Sequence, residues 1–279
     1  MPDLPIAAPV IAGTKSAEAQ QRRPVADRLV VPAIGIAALL TAWQLLTTLG
    51  PYSADQLPGP FAVARAGVEA WRAGLAGHIV ASLTRFGIAY ALAVGIALPL
   101  GLVLGWRRVL WRAVDPAIQV LRPISPIAWF PLAVLWLGIG DLPAIFIIFL
   151  AAFFPALLTT VSAVRRVDPT YVLMARNFGT SDRQLIAKVV VPAAFPQIAV
   201  GLHIALGSAW VYLVAGEMLG ARNGLGFLIV DARNSLRTDL IIVGMAVIGV
   251  LGLVIDRAIA AGERWTSAYW GIPERKDPA

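Results

Sequence analysis

The 279-residue chain has no cysteine, so neither a disulfide framework nor a thiolate metal site can form. Its two histidines, His78 and His203, stand far apart and make no metal-ligand motif. Charged residues are 14% of the chain, against roughly 25% in ordinary globular proteins. A Walker-type G-x-x-x-x-G-K-[ST] loop is missing, so nothing in the chain would cradle nucleotide phosphates or hydrolyse ATP. A nucleophile elbow and paired carboxylates in an apolar setting are missing as well. No catalytic and no metal residues are therefore assigned, and no cofactor is expected to bind this chain. What the chain does have is apolar surface. Hydrophobic residues are 58% of it, more than one soluble core could bury, so lipid must be the solvent for much of the chain.

Six stretches approach the ~20 apolar residues that a hydrocarbon core requires: residues 29–49, 79–105, 124–139, 142–164, 193–218 and 240–261. The third is the most interrupted, because Pro123, Pro126 and Pro131 crowd its start. These spans define an all-α integral membrane domain over residues 29–265. It is flanked by a disordered tail at 1–28, rich in Pro, Ala and polar residues, and a short C-terminal tail at 266–279. Arg22, Arg23 and Arg28 before the first span resemble a signal peptide only superficially, since no small-residue cleavage site follows; a retained span is expected.

Cationic residues orient the spans. One side collects Lys15, Arg22, Arg23, Arg28, Arg107, Arg108, Arg112, Arg122, Arg165, Arg166, Arg176, Arg183, Lys188, Arg257, Arg264, Arg275 and Lys276. The other has Arg65, Arg72, Arg222, Arg233 and Arg237. The positive-inside rule makes the first side, with both termini, cytoplasmic. The net charge of +7 thus reflects insertion topology, and nucleic acid is not an expected partner.

Asp168 to Pro192 is a polar segment between two spans on that cytoplasmic side. Asp168 can cap a helix with Pro169 at its first position, and Tyr171, Met174, Ala175 and Phe178 follow at the spacing of one apolar face. Gly179 suits the left-handed residue that ends such a helix. Ser181 and Gln184 form a capping-box pattern for a second helix, with Leu185, Ile186, Val189 and Val190 as its stripe until Pro192 breaks it. By itself this is an amphipathic connector at the lipid headgroups.

The run Leu173-Met174-Ala175, Gly179 after three residues, and Val189-Val190-Val191-Pro192 after nine more resembles the cytoplasmic "EAA…G…I.LP" loop of bacterial ABC importer permeases. Leu173 and Met174 depart from the Glu and Ala that name the motif. Several further runs are similar to the permeases of nitrate, aliphatic sulfonate and taurine importers: Leu121 to Leu132, Leu135 to Asp141, Gly216-Glu217-Met218, and Gly224-Leu225-Gly226. His203 stands where relatives often carry Arg. The resemblance implies a six-helix, type I importer-like permease in the bacterial cytoplasmic (inner) membrane, coupled through residues 168–192 to a separate ATPase. It also implies the partners: a second permease copy, two ATP-binding cassette subunits that bind ATP and Mg, and a periplasmic or lipid-anchored substrate-binding protein. The substrate would be a small anion or zwitterion. Asp168, Tyr171, Met174, Ala175, Phe178, Gly179, Ser181 and Pro192 become the coupling residues.

Other features bear on a pathway. Gly87, Ala91 and Gly95, then Ala97, Gly101 and Gly105, recur every four residues in the second span, a pattern that lets helices approach closely in lipid. Pro99, Pro126, Pro131, Pro155 and Pro196 remove backbone donors inside spans; each is a kink or borders the transport route. Arg85 at the outer end of the second span either attracts anions or forms a structural pair, Glu217 being the expected partner in an outer latch. His203 is read as a hydrogen-bonded packing residue or a substrate contact, and Asp256 with Arg257 as markers of the inner interface. Ala64, Val68, Trp71 and Leu75 give residues 61–75 the apolar face of an outer interfacial helix. A secondary carrier using Arg85, His203 and Glu217 for ion coupling is the alternative, but the inverted repeats it predicts are not evident. A membrane-embedded enzyme would need clustered ionisable residues, and those here are scattered.

Overall fold

The computed structural model describes residues 25–51, 53 and 55–269. The tail expected at 1–28 falls almost wholly outside these residues, as do residues 270–279. The chain divides into two compact units, Met1–Ala62 and Val63–Ala279.

In the first unit α1 (Val25–Leu49) has an apolar stretch at Ala33–Leu49. Thr41, Thr47 and Thr48 donate their hydroxyls to carbonyls one turn back, which satisfies them without water.

The second unit holds most of α2 (Pro60–Arg72), then α3 (Leu75–Trp106), α4 (Arg108–Leu121), a 3-10 turn (Pro126–Trp129), α5 (Phe130–Leu137) and α6 (Asp141–Arg165). It continues through α7 (Pro169–Asn177), α8 (Asp182–Leu185), a π turn (Ile186–Val190), α9 (Val191–Gly220), α10 (Leu225–Asn234) and α11 (Thr238–Tyr269). There is no strand among the described residues.

Alanine and glycine set the core, because helices in lipid gain little from hydrophobicity and associate where backbones come close. Ala89, Ala93 and Ala97 of α3 and Ala152 and Ala156 of α6 are fully buried. Further along, a Cβ placed on Gly101 or Gly105 would stand 2.7 Å from the β-carbon of Thr160 or Val164, so only glycine permits this crossing. The expected companion stripe differs: Gly87 and Gly95 have open space beside them, and the residues that pack, Ala89, Ala93 and Ala97, lie two positions along, on the alanine face.

Arg85 meets Asp141 at one end of the α3–α6 pair and Gly105 meets Val164 at the other, so the two helices run parallel. The chain must therefore cross back between residues 106 and 141. It does so through α4 and the α5 segment, which are bent 87° to each other. Ser125 reaches Tyr212 at 3.4 Å, and Phe130 lies beside Gly220 at the far end of α9. This corrects the third span. Residues 124–139 are not one crossing helix; the return begins at Arg108, and hydropathy conceals it because α4 carries Arg108, Arg112, Asp115 and Gln119. Among the described residues four helices are long and apolar enough to cross a membrane, Leu75–Trp106, Asp141–Arg165, Asp182–Gly220 and Thr238–Gly262; the bent pair makes a fifth, and α1 adds a shorter apolar stretch.

Two other boundaries shift. Pro192 does not break the helix: α8, the π turn and α9 form one continuous span from Asp182 to Gly220. Pro192 lies inside this continuous helix, and the π turn just before it, in which the Val191 amide donates to Ile186 O, shifts the hydrogen-bond register where Pro192 has no amide to give. The last helix runs on to Tyr269, beyond both the expected span end at Ala261 and the expected domain end at 265.

Candidate functional site

The segment after α6 forms the first candidate. The Asp168 carboxylate accepts the Thr170 amide at 2.8 Å, and this backbone hydrogen bond lowers its pKa below the usual carboxylate value. Pro169 occupies the first turn. At the other end Thr180 N–H donates to Ala175 O at 3.2 Å and Gly179 N–H to Arg176 O at 2.9 Å. This is a Schellman closure, and it needs Gly179 at φ +74°. Ser181 and Gln184 make the capping box of α8, and Arg176 reaches Asp182 at 3.6 Å across the hinge. Both ends of α7 are thus fixed by local bonds.

A firmly capped helix here presents apolar groups to water. Phe178 is 90% exposed, and Tyr171, Leu173 and Met174 are also exposed. Ala175 instead lies half-buried beside Val172 on the inner side, so the face expected to hold all four residues is split. Tyr171, Met174 and Phe178, spaced three and four apart, point outward. Arg107, Arg108, Arg165, Arg166 and Arg176 surround this end of the bundle, and the Arg165 guanidinium stacks over the Trp111 ring at 5.7 Å.

At the opposite end Arg85 is buried, with 3% exposure. Its Nη1 donates to Glu217 Oε1 at 2.6 Å and to Asn223 O at 3.0 Å. Its Nε and Nη2 reach Asp141 Oδ1 at 2.9 and 2.7 Å, and Nη2 also bonds Asn223 Oδ1. Glu217, 1% exposed, accepts the Gly226 amide at 2.9 Å and the Ser82 hydroxyl at 2.8 Å. The Ser82 oxygen in turn accepts the Leu225 amide at 2.8 Å, and His78 Nδ1 the Gly224 amide at 3.1 Å. Among the described residues no buried side-chain polar atom lacks a partner. Four segments are therefore tied by one charged knot: α3, the start of α6, the end of α9 and the turn leading into α10. The Arg85–Glu217 pair was legible from the sequence. Asp141, Ser82 and Asn223 were not, because nothing in their local spacing points to Arg85. Two carboxylates and a backbone carbonyl surround this guanidinium, the arrangement expected of a structural pair.

His203 Nε2 and Asp256 Oδ1 lie 2.7 Å apart, joining α9 to α11, and both side chains are partly exposed. Sequence reading treated these residues separately; the antiparallel α9–α11 contact, with Trp210 against Gly252, is what unites them. Between the 122–126 turn, α6 and α9 opens a cleft of about 510 Å³. Its polar lining comprises Arg122, Thr159, Ser162, Gln197, Ser208 and Tyr212, and both Pro126 and Pro155 border it. Arg85 and Glu217 do not line it.

Ahead of α3, α2 packs Ala66 and Ala70 inward, with Gly67 against Val243 of α11. Trp71 and Val68 remain exposed, as an interfacial helix would have them.

Residues 97–267 match the family model described as "Binding-protein-dependent transport system inner membrane component". A Brucella melitensis protein named "Probable ABC transporter permease protein" is 40% identical over 83% of this chain and 93% of its own length. The taurine transport system permease protein TauC of Escherichia coli K12 is 35% identical over 88% and 92%, and the nitrate import permease protein NrtB of a Synechocystis strain is 35% identical over 84% and 87%. In three dimensions a chain of the MetNI methionine ABC transporter, in an inward-facing conformation, superposes with a TM-score of 0.53 at 20% identity, covering 66% of this chain and 95% of that one, a likeness of fold. An importer of this class draws its energy from ATP through a separate ATPase and receives solute from a binding protein. The chain belongs to the family of binding-protein-dependent transport system inner membrane components, and is the multi-pass permease subunit of an ABC importer.

Proposed function

We propose that this permease carries a small oxyanion or zwitterion of the sulfonate, taurine or nitrate type inward across the cytoplasmic membrane, and that α7 couples it to the ATPase. The observation carrying the coupling is the exposed apolar group of Tyr171, Met174 and Phe178 on a helix whose two ends are locked by Asp168 and Gly179. A rigid helix transmits displacement, whereas a frayed one would absorb it. Leu173 and Met174, in place of the acidic and small residues of the motif, enlarge the apolar surface, so the contact is made by packing into a cleft of the partner. Ser181 and Pro192 then act as joints: the capping box starts the long helix, and the π turn before Pro192 links the hinge to α9.

The active assembly is a homodimer with two ATPases, and both termini are cytoplasmic. The arginines at the α7 end of the bundle support this orientation. Arg85 and Glu217 form the latch at the outer end, and His203 with Asp256 a second tie beside the path. The substrate class is supported by the named solutes of the relatives, taurine and nitrate.

Reconstitution tests this. Proteoliposomes containing the permease, its ATPase and its binding protein should accumulate taurine or nitrate only with ATP, and Phe178→Ala should abolish ATPase association while leaving the permease folded. Equal flux without any ATPase would overturn the reading.

A further inference from the structure

We infer that Arg122 and the polar groups around the cleft between the 122–126 turn, α6 and α9 form an oxyanion-binding station within the translocation path, held at depth by the break in the returning span. The inference rests on the importer reading for the direction of transport, but the electrostatic property it assigns stands independently.

Three observations carry it. The first is depth. The cleft is lined by α6 from Leu150 to Ser162 and by α9 from Gln197 to Tyr212, both within full-length spans. A non-helical stretch of backbone persists at such depth only where protein or a wet cavity satisfies it, and residues 122–125 between α4 and the 3-10 turn are that stretch.

The second is charge. Arg122 is the sole Lys, Arg, Asp or Glu side chain in the lining. Among the described residues no carboxylate lies within ion-pair distance of it, in contrast to Arg85 with its two. A permanent cation inside a span is costly unless it faces water or an anion. Low-dielectric walls focus its field on whatever enters.

The third is donor geometry. The guanidinium fork matches two coplanar oxygens of one anionic group, as sulfonate, nitrate and bicarbonate each present. Gln197, Ser162 and Tyr212 add donors from the facing helices. Ser208 and Thr159 give their hydroxyl protons to Ile204 O and Pro155 O at 3.0 and 2.7 Å, so the empty path leaves neither unsatisfied. Behind Arg122, residues Arg112, Asp115 and Gln119 continue the same side of α4 at intervals of three and four, with Gln119 Nε2 donating to Asp115 Oδ1 at 3.2 Å. This polar stripe leads from the arginine-rich end of the bundle to the cleft. Sequence alone places Arg122 among the cytoplasmic loop charges; only the bend brings it to the cleft.

The absence of native cysteine makes a direct test possible. Ser208→Cys puts one thiol in this chain at the cleft wall. The assembled transporter, in phosphatidylcholine nanodiscs that contain no anionic lipid, is reacted with an anionic (sulfonatoethyl) or a cationic (trimethylammonioethyl) methanethiosulfonate, and labelling of this chain is followed by intact mass. The anionic reagent should be favoured with Arg122 present. Arg122→Gln should lower the anionic-to-cationic rate ratio by on the order of 10-fold, whereas Arg122→Lys keeps it. Without altering Arg122, raising KCl to 1 M should collapse the ratio, since screening then acts over ~3 Å. A thiol that neither reagent reaches, or a ratio indifferent to both Arg122→Gln and salt, overturns the station. Because this readout requires neither ATP nor a known substrate, failure of the importer reading would show separately, in the uptake assay.

Discussion

Glu217→Ala probes the Arg85 knot most sharply. The substitution removes an acceptor that is 1% exposed and serves Arg85, Ser82 and the Gly226 amide at once. Arg85, itself 3% exposed, would keep its bonds to Asn223 but only one carboxylate, Asp141, whose side chain is 58% exposed. Leaving one member of a buried ion pair uncompensated costs about 3–5 kcal/mol, and the stranded Gly226 amide adds roughly 1 kcal/mol more. Asp141→Ala, by contrast, removes a partner that water already screens and should cost ~1 kcal/mol or less. Replacing both charges with apolar residues, Arg85→Met with Glu217→Leu, should recover part of the loss, since no buried charge then stands alone. Unfolding of the purified permease in mixed micelles by titrated sodium dodecyl sulfate, followed by tryptophan fluorescence, measures all four proteins. Equal losses for Glu217→Ala and Asp141→Ala, or a double variant no more stable than Glu217→Ala, would refute the account of the knot as a buried charge pair.

Other expectations concern the coupling end and the core. Phe178→Ala should leave stability within ~0.5 kcal/mol, because the ring is 90% exposed, yet the variant should no longer hold the ATPase on an affinity column. Gly179→Pro cannot adopt φ +74° with a ring that fixes φ near about −65°; transport and ATPase stimulation should both fail, while the intramembrane helices keep their circular dichroism. Gly101→Val should disrupt the α3–α6 crossing, where even a Cβ would meet Thr160 at 2.7 Å, and yield a protein that aggregates on extraction. Asp168 carries a lowered pKa because of the Thr170 amide, so its cap is fully present at neutral pH and is lost as pH falls through the lowered value. Hydrogen exchange at the Thr170 amide should accordingly be faster in Asp168→Ala than in the parent protein at pH 7, with the two converging in strong acid.

The coupling segment could be read locally because its determinants are local. Asp168, Gly179 and the Ser181–Gln184 pair act on neighbours within five residues, and caps of that kind are written in consecutive positions. The outward group Tyr171, Met174 and Phe178 followed from spacing, whereas the turn of Ala175 inward depends on Val172 finding the bundle. The Arg85–Glu217 pair could be inferred because each is a rare charge at the same expected end of a span. Asp141 and Asn223 could not, since they reach Arg85 only after α6 and the turn before α10 are in place.

Sequence by itself determined that this chain dissolves in lipid, which end of its helices faces the arginines, and where α7 begins and ends; composition, charge asymmetry and capping act over short distances and need no partner. Tertiary structure alone decided the rest. It made the return crossing from α4 and α5 set at 87° to each other, because α3 and α6 run parallel and the chain has to come back between them. It chose the alanine face over the neighbouring glycines, since close packing in lipid selects whichever stripe a partner helix can meet. The same bend carried Arg122 from an apparent loop into the cleft, for the depth of a charge in a membrane is set by the path of its backbone and not by the hydropathy around it.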